Sequence, residues 1–144
     1  MTIDYIQEEL IDEFALFDDW MDKYQHLIDL GKSLPLISEG LKTDDKIIRG
    51  CQSKVWLDGQ LNNDKVIFTA DSDAIITKGI IAVLVRVYSN QTPEAILNGD
   101  TQFIDDIGLK EHLSPTRANG LVAMIKQMKL YALAFQTKLK QEKS

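Results

Sequence analysis

The chain contains one cysteine, and the residues around it favour thiol chemistry. Cys51 stands in the stretch IIRGCQSKVWL (residues 47–57), directly after Gly50 and close to Arg49 and Lys54. A glycine lets the backbone turn sharply and lets another molecule approach closely. Neighbouring cations favour the thiolate, which is the nucleophilic form of cysteine. The local sequence therefore predicts that Cys51 is a reactive thiol.

Two polar residues follow the cysteine. Gln52 and Ser53 carry hydrogen-bonding groups that could hold an anionic sulfur. Free cysteine is also among the most buried residue types, so an inert buried thiol is the alternative interpretation of Cys51. The residues alone leave both interpretations open.

Other kinds of site lack their usual residues. One cysteine and two histidines, His26 and His112, cannot supply the three or four ligands of a structural zinc or iron–sulfur site. The sequence contains no GxxxxGK[ST] phosphate loop, no GxGxxG after a strand, and no GxSxG around Ser114. We expect no metal and no cofactor.

Composition indicates one globular domain over residues 1–144, with 44% hydrophobic and 26% charged residues. A single cysteine cannot form an internal disulfide, which favours a reducing compartment. The N-terminus lacks a leader pattern, and the longest apolar run, residues 79–85, is far shorter than the ~20 residues of a membrane span. We expect a cytoplasmic protein without membrane contact.

Charge argues against a nucleic-acid partner, because the net charge is −6 and nucleic acids attract basic surfaces. The charge is uneven along the chain. Residues 1–22 carry eight acids and no Lys or Arg, whereas residues 121–144 carry five lysines and one glutamate. This pattern indicates either the solvated faces of two terminal helices or an acidic docking face.

Two helices are predicted to open the fold. Asp19 can cap the second of them, Gly31 is suited to a left-handed residue at its end, and Pro35 makes continuation improbable. The apolar stripe of the first helix recurs at steps of three and four. It comprises Ile3, Ile6, Leu10, Phe14 and Phe17.

Alternation of apolar and polar residues predicts a β-hairpin over residues 54–70, with its turn at Asn62 and Asn63. The cysteine lies just before its first strand. Val55 and Leu57 should point to one face of the hairpin and Lys54 and Trp56 to the other, and Val66, Phe68 and Ala70 alternate with Ile67 and Thr69.

Helices follow the hairpin. The apolar segment 74–88 predicts a buried central helix capped by Asp73 or Ser72, with Gly79 permitting close packing. Two further helices should begin at Thr92-Pro93 and Ser114-Pro115, where an oxygen-bearing cap precedes proline.

Four blocks in order along the chain resemble the SufE family of sulfur acceptors. They are WMDKYQHLIDLGKSLP (20–35), GCQSKVW (50–56), DSDAIITKGIIAVL (71–84) and HLSPTRANGLVAMI (112–125). The resemblance implies an α+β, two-layer SufE/IscU-like fold, in which a small antiparallel sheet packs against N- and C-terminal helices.

In that family the cysteine of the GCQS block accepts sulfane sulfur from a PLP-dependent cysteine desulfurase of the SufS/CsdA type. The resemblance thus implies a persulfide on Cys51, relay to an iron–sulfur scaffold, and activation of the desulfurase. Two alternatives remain: a CsdE-type acceptor that feeds tRNA modification, and an adaptor that binds the desulfurase without carrying sulfur.

The resemblance also implies supporting roles for Gly50, Gln52, Ser53 and three distant residues. Arg117, in a Pro-Thr-Arg block where the family has Pro-Ser-Arg, would stabilise an anion or contact the desulfurase, or else form an ion pair at a helix start. His112 would assist proton transfer or be structural. Asp73 would cap a helix or position the cysteine loop.

Protection of a persulfide leads to one further expectation. A persulfide is readily reduced or oxidised. We therefore expect the loop to place the sulfur of Cys51 in an apolar pocket and to swing outward when a partner docks, with Gly50 easing the movement.

Overall fold

The structure is a computed structural model that describes residues 1–143, so Ser144 of the predicted domain lies outside the described residues. The helices are α1 (Ile3–Ala15), α2 (Trp20–Lys32), α3 (Ile75–Tyr88), α4 (Pro93–Asn98), α5 (Gln102–Ile107) and α6 (Pro115–Lys143), and the strands are β1 (Val55–Asn62) and β2 (Lys65–Ser72). Single 3₁₀ turns occur at Glu39–Leu41, Asp44–Lys46 and Lys110–His112. The predicted α+β class is confirmed.

The two strands form an antiparallel hairpin. Its register runs from Val55 opposite Ser72 to Asn62 opposite Lys65. Asn63, with φ of 61°, therefore begins the two-residue turn, one position later than predicted. Asparagine tolerates this left-handed conformation. The apolar side chains on one face of the hairpin are buried, and they are Val55, Leu57, Val66, Phe68 and Ala70.

Helix α3 lies at the centre of the fold and packs against β2, α1, α2 and α6. Ten of its fourteen residues are buried, as predicted for a helix that is apolar on most faces. Helices α3 and α2 come closest at Gly79, where an added Cβ atom would lie 2.3 Å from the backbone oxygen of Leu27 on α2. Only glycine allows α2 and α3 to cross this closely.

The predicted role of Gly31 as a left-handed helix end is wrong. Gly31 is buried inside α2, which continues through Lys32 to a C-cap at Ser33. A Cβ atom on Gly31 would lie 3.1 Å from the backbone nitrogen of Gly79. The glycine serves the helix crossing, a contact between distant residues that the local sequence does not reveal.

The C-terminal half begins its helices largely as predicted. Thr92 caps α4 through a 3.2 Å bond from the Ala95 N–H, and Ser114 accepts a 3.3 Å bond from the Arg117 N–H at the start of α6. Helix α5 was not predicted; it has six residues, and the side chain of its N-cap Thr101 makes no capping bond. No helix within residues 1–143 is long and apolar enough to cross a membrane.

Candidate functional site

The cysteine lies in a loop closed at its base by a short ladder. Ile47 pairs with Trp56 in an antiparallel bridge, and the Ile48 N–H donates a 2.8 Å bond to the Val55 carbonyl. Residues 49–54, which we call the cysteine loop, connect the two sides. The hairpin thus fixes where the loop leaves and rejoins the fold.

Lys54 ties the second end of the loop to the start of α3. Its N–H donates to Asp73 Oδ1 at 3.1 Å, and its carbonyl accepts from the Ser72 hydroxyl at 2.9 Å and from the Asp73 N–H at 3.2 Å. The prediction that Asp73 caps α3 is wrong, since the N-cap is Ala74 and no side chain makes a capping bond there. The Asp73 carboxylate instead bonds the cysteine loop.

Gly50 gives the loop its turn. Its φ of 97° lies in the left-handed region, where side chains are disfavoured. A Cβ atom on Gly50 would also lie 3.3 Å from the Cβ of Ala123 on α6. The glycine lets the loop fold down against α6.

The Cys51 sulfur is half-buried against α6. Its S–H donates to the Gly120 carbonyl at an Sγ···O distance of 3.7 Å. A Cβ atom on Gly120 would lie 3.3 Å from Sγ, so the missing side chain makes room for the sulfur. The loop therefore holds the thiol inward, at a glycine of α6.

Burial raises the pKa of the Cys51 thiol above its ordinary value. The prediction that Arg49 and Lys54 favour the thiolate is wrong for this closed position. Both residues are exposed, and desolvation of the sulfur is the cause of the shift. Adjacency in sequence does not bring the two cations to the sulfur.

A small cavity of about 50 Å³ adjoins the sulfur. Three of the predicted supporting residues, Gln52, Ser53 and Arg117, line it together with Cys51. The other three do not: Gly50 faces Ala123, Asp73 bonds Lys54, and His112 has partners elsewhere. The full lining is Cys51, Gln52, Ser53, Thr77, Ile80, Thr116, Arg117, Gly120 and Met124. The expected apolar pocket is thus partly polar.

Arg117 places a cation at the rim of this cavity. It lies in the first turn of α6 and is exposed. It pairs with no carboxylate among residues 1–143, so the helix-start ion pair considered above is not formed. The guanidinium is available to an anion at the cavity or to a docked partner.

His112 is held by aromatic and backbone contacts. Its ring stacks on Trp20 with centroids 3.8 Å apart, and its Nδ1 lies 3.1 Å from the Gly108 carbonyl oxygen. The Tyr24 hydroxyl donates to the His112 carbonyl. These contacts tie the segment before α6 to α2, which agrees with the structural interpretation of this histidine.

Thr77 is a cavity residue that the sequence analysis missed. Its side chain lies on α3 and is 6% exposed. The Thr77 hydroxyl has no hydrogen-bond partner among residues 1–143. Every fully buried side-chain oxygen in that part of the chain has a partner, so the Thr77 oxygen must be accessible to solvent. It offers a free donor beside the thiol. Its only sequence signal is its place inside the DSDAIITKG block.

The chemistry available at the cavity is that of the thiol with nearby donors. Hydroxyl groups, an amide and a guanidinium surround one sulfur. Across residues 1–143, no three His, Cys, Asp or Glu side chains are close enough together to hold a metal ion. A sulfur nucleophile with anion-stabilising neighbours is suited to exchange between sulfur atoms.

Comparison with known proteins places this site in a family. The family model for the SufE, or Fe-S metabolism associated, domain matches residues 8–132, which include the cysteine loop and all the cavity residues. The chain belongs to the SufE family. Members of this family are associated with Fe–S metabolism. The loop and cavity described above are therefore features of a SufE domain.

Relatives in two bacteria support the assignment. Uncharacterized SufE-like proteins of Rhizobium meliloti and Rhizobium etli are each 38% identical over 127 residues, covering 85% of this chain and 91% and 86% of theirs. The solution structure of a hypothetical protein from Thermus thermophilus superposes with a TM-score of 0.77 at 19% identity, over 92% of this chain and 96% of that one. The α+β fold is thus shared by a distant protein.

Proposed function

We propose that this SufE protein accepts sulfane sulfur from a PLP-dependent cysteine desulfurase as a persulfide on Cys51. The protein passes this sulfur to an iron–sulfur scaffold and, by removing it, raises desulfurase turnover. The main support for this proposal is that the chain's one cysteine lies on a tethered loop beside a cavity lined by hydrogen-bond donors. The protein acts as co-substrate and activator of the desulfurase.

The transfer is an exchange between sulfur atoms. The Cys51 thiolate attacks the outer sulfur of the desulfurase persulfide, a new S–S bond forms, and the old S–S bond breaks as the desulfurase thiolate leaves. The proton of Cys51 goes to solvent or to the departing thiolate. One S–S bond replaces another, so no external oxidant or reductant is needed.

The cavity is large enough for the cargo. Its volume of about 50 Å³ is several times the ~10–15 Å³ that a cavity needs to hold one water molecule, so it has room for one added sulfur atom on Sγ. Thr77, Ser53 and Arg117 line the space that this atom would enter. In the closed loop the persulfide is shielded from bulk thiols.

Transfer requires the loop to open. Burial keeps Cys51 in the thiol form in the closed position, whereas a sulfur exposed to solvent ionises more readily. Docking of the desulfurase would therefore both expose the sulfur and favour its thiolate. Gly50 and the Lys54–Asp73 bond are the points at which the loop would turn or release.

The test is transfer of sulfur to the protein. The wild type and Cys51→Ser are incubated with a SufS-type desulfurase, PLP and cysteine, and intact masses are measured. We expect the wild type to gain the mass of one sulfur atom, which a reductant removes, and Cys51→Ser to gain none. Ser38→Ala, which changes an exposed serine that does not line the cavity, serves as the control that should still be loaded.

Desulfurase turnover distinguishes the alternatives. If Cys51→Ser stimulates the desulfurase as strongly as the wild type does, the protein is a non-catalytic adaptor and the proposal is wrong. If the persulfide forms but its sulfur reaches a tRNA-modification carrier and no iron–sulfur scaffold, the CsdE-type alternative holds.

A further inference from the structure

A second surface lies on the opposite side of α6 from the cysteine. Gly120 contacts the Cys51 sulfur, while Lys129, nine residues later, donates to the Leu97 and Gly99 carbonyls at 3.2 and 2.9 Å. Nine residues are about two and a half turns of an α-helix, so positions 120 and 129 lie on opposite sides of α6. The helix therefore separates the sulfur site from whatever binds the other face.

That other face contains an open groove of about 490 Å³, which we call the α6 groove. It is larger than the cysteine cavity, and most of its lining is apolar. Its residues are Leu97, Thr101, Ile104, Lys110, Val122, Ile125, Lys126, Lys129, Leu130 and Leu133.

Large apolar side chains are exposed along this groove. Val122, Leu130 and Leu133 are 52%, 48% and 50% accessible, and they lie within three turns of α6. Clustered exposure of this kind marks an interaction surface, whereas single exposed apolar residues are ordinary. The stretch from Val122 to Leu133 is about 16 Å long at 1.5 Å per residue, long enough for three turns of a partner helix.

The α6 groove is positively charged, whereas the protein as a whole is negatively charged. Its charged lining residues are three lysines, Lys110, Lys126 and Lys129, and no acid lines it, although the chain carries a net charge of −6. An apolar floor beside lysines complements a helix with an apolar stripe flanked by carboxylates. Nucleic acid would leave the apolar floor uncovered.

We infer that the α6 groove binds an acidic amphipathic helix of a partner protein. The partner lays its apolar stripe on Leu130 and Leu133 and directs carboxylates to Lys110 and Lys126. Because the groove lies behind α6, Cys51 stays accessible while the partner is bound. A desulfurase and a groove-bound partner can then occupy the protein together. This inference does not depend on the sulfur chemistry.

The test uses a synthetic helical peptide with leucines along one stripe and glutamates on its flanks. Binding to the full chain is followed by NMR of the leucine, valine and isoleucine methyl groups. We expect the peptide to change the methyl chemical shifts of Val122, Ile125, Leu130 and Leu133 most strongly. The affinity of the protein for the peptide should fall as salt is added. Scrambling the peptide, or replacing its glutamates by lysines, should abolish binding.

Variants locate the site. Leu130→Glu should weaken binding about tenfold or more, as expected at the centre of an interface, and Lys126→Glu a few-fold, as expected at its rim. Lys138→Glu removes an exposed α6 charge that does not line the groove and should leave affinity unchanged. Thermal unfolding verifies that each variant is folded, and the alkylation rate of Cys51 should be the same with and without peptide.

Several results would overturn the inference. One is binding that neither Leu130→Glu nor Lys126→Glu weakens. Another is a dimer by sedimentation that Leu130→Glu dissociates, because a second copy would then cover the groove. Tight binding of single-stranded RNA to the same methyl groups, or peptide binding that blocks alkylation of Cys51, would equally contradict it.

Discussion

Replacing Gly50 by alanine should release the cysteine loop. The φ of 97° at Gly50 is unfavourable for any residue with a side chain, and the new Cβ would also lie 3.3 Å from the Cβ of Ala123. Backbone strain of this kind costs about 1–3 kcal/mol. If only the closed loop carries this strain, the equilibrium shifts toward the open loop by about 5- to 150-fold.

The assay is the alkylation rate of Cys51 by iodoacetamide. In the closed loop the sulfur is half-buried and its pKa is raised by burial, so we expect molecules with an open loop to account for most of the reaction. While the open fraction stays small, Gly50→Ala should raise the rate by the same factor of about 5 to 150. Unfolding in urea, measured in parallel, separates release of the loop from loss of the whole fold.

Gly40→Ala is the matched control. Gly40 is exposed, its φ lies outside the left-handed region, and no atom lies within 4 Å of a Cβ built there. Its alkylation rate should equal that of the wild type. The reasoning is refuted if Gly50→Ala reacts at the wild-type rate while its free energy of unfolding falls, because the loop would then open only with the entire protein.

Three further changes test the packing, the cavity and the thiol. Gly79→Ala places a Cβ 2.3 Å from the Leu27 carbonyl oxygen, so the free energy of unfolding in urea should fall by an amount near the upper end of the ~1–3 kcal/mol typical of overpacking. A smaller decrease would mean that α2 and α3 move apart without cost. Thr77→Val removes the free hydroxyl from the cavity. Loss of this hydrogen-bond donor should raise the pKa of the persulfide, so less of the reactive anion is present at a fixed pH and the persulfide form should be alkylated more slowly. An unchanged rate in this variant would exclude contact between the hydroxyl and the outer sulfur. Burial raises the pKa of Cys51, so as pH rises the thiol ionises in the unfolded chain before it ionises in the folded one. Between the ordinary thiol pKa and the raised one, the free energy of unfolding of the wild type should fall relative to that of Cys51→Ser. Parallel curves of unfolding free energy against pH for the two proteins would contradict this prediction.

The sequence predicts the elements whose signals are local. The apolar stripe of α1 from Ile3 to Phe14, the alternating strands and the Thr92-Pro93 start of α4 each depend on residues within one element. Phe17, predicted on the same stripe, lies beyond the end of α1 at Ala15. The hairpin turn is displaced by one residue, since Asn62 and Asn63 are chemically identical and only the register distinguishes them. Helix α5 was missed because six residues between two glycines give too short a pattern.

The site was predicted in part for the same reason. Cys51 and its flanking residues form one local block, whereas Thr77 and Gly120 reach the cavity only through the packing of α3 and α6. Gly120 is 69 residues from Cys51 in sequence and 3.7 Å away through its carbonyl oxygen. Arg49 shows the converse, because it is a sequence neighbour of Cys51 that does not determine the ionisation of the sulfur.

The presence of one cysteine also limits how the proposed sulfur cargo can leave. A chain with a second thiol nearby could attack its own persulfide, release sulfide and close a disulfide. No other thiol exists in these 144 residues, so every discharge of a persulfide on Cys51 requires collision with a separate molecule. The residence time of the sulfur therefore depends on the concentration of outside thiols and on how often the loop opens to meet them.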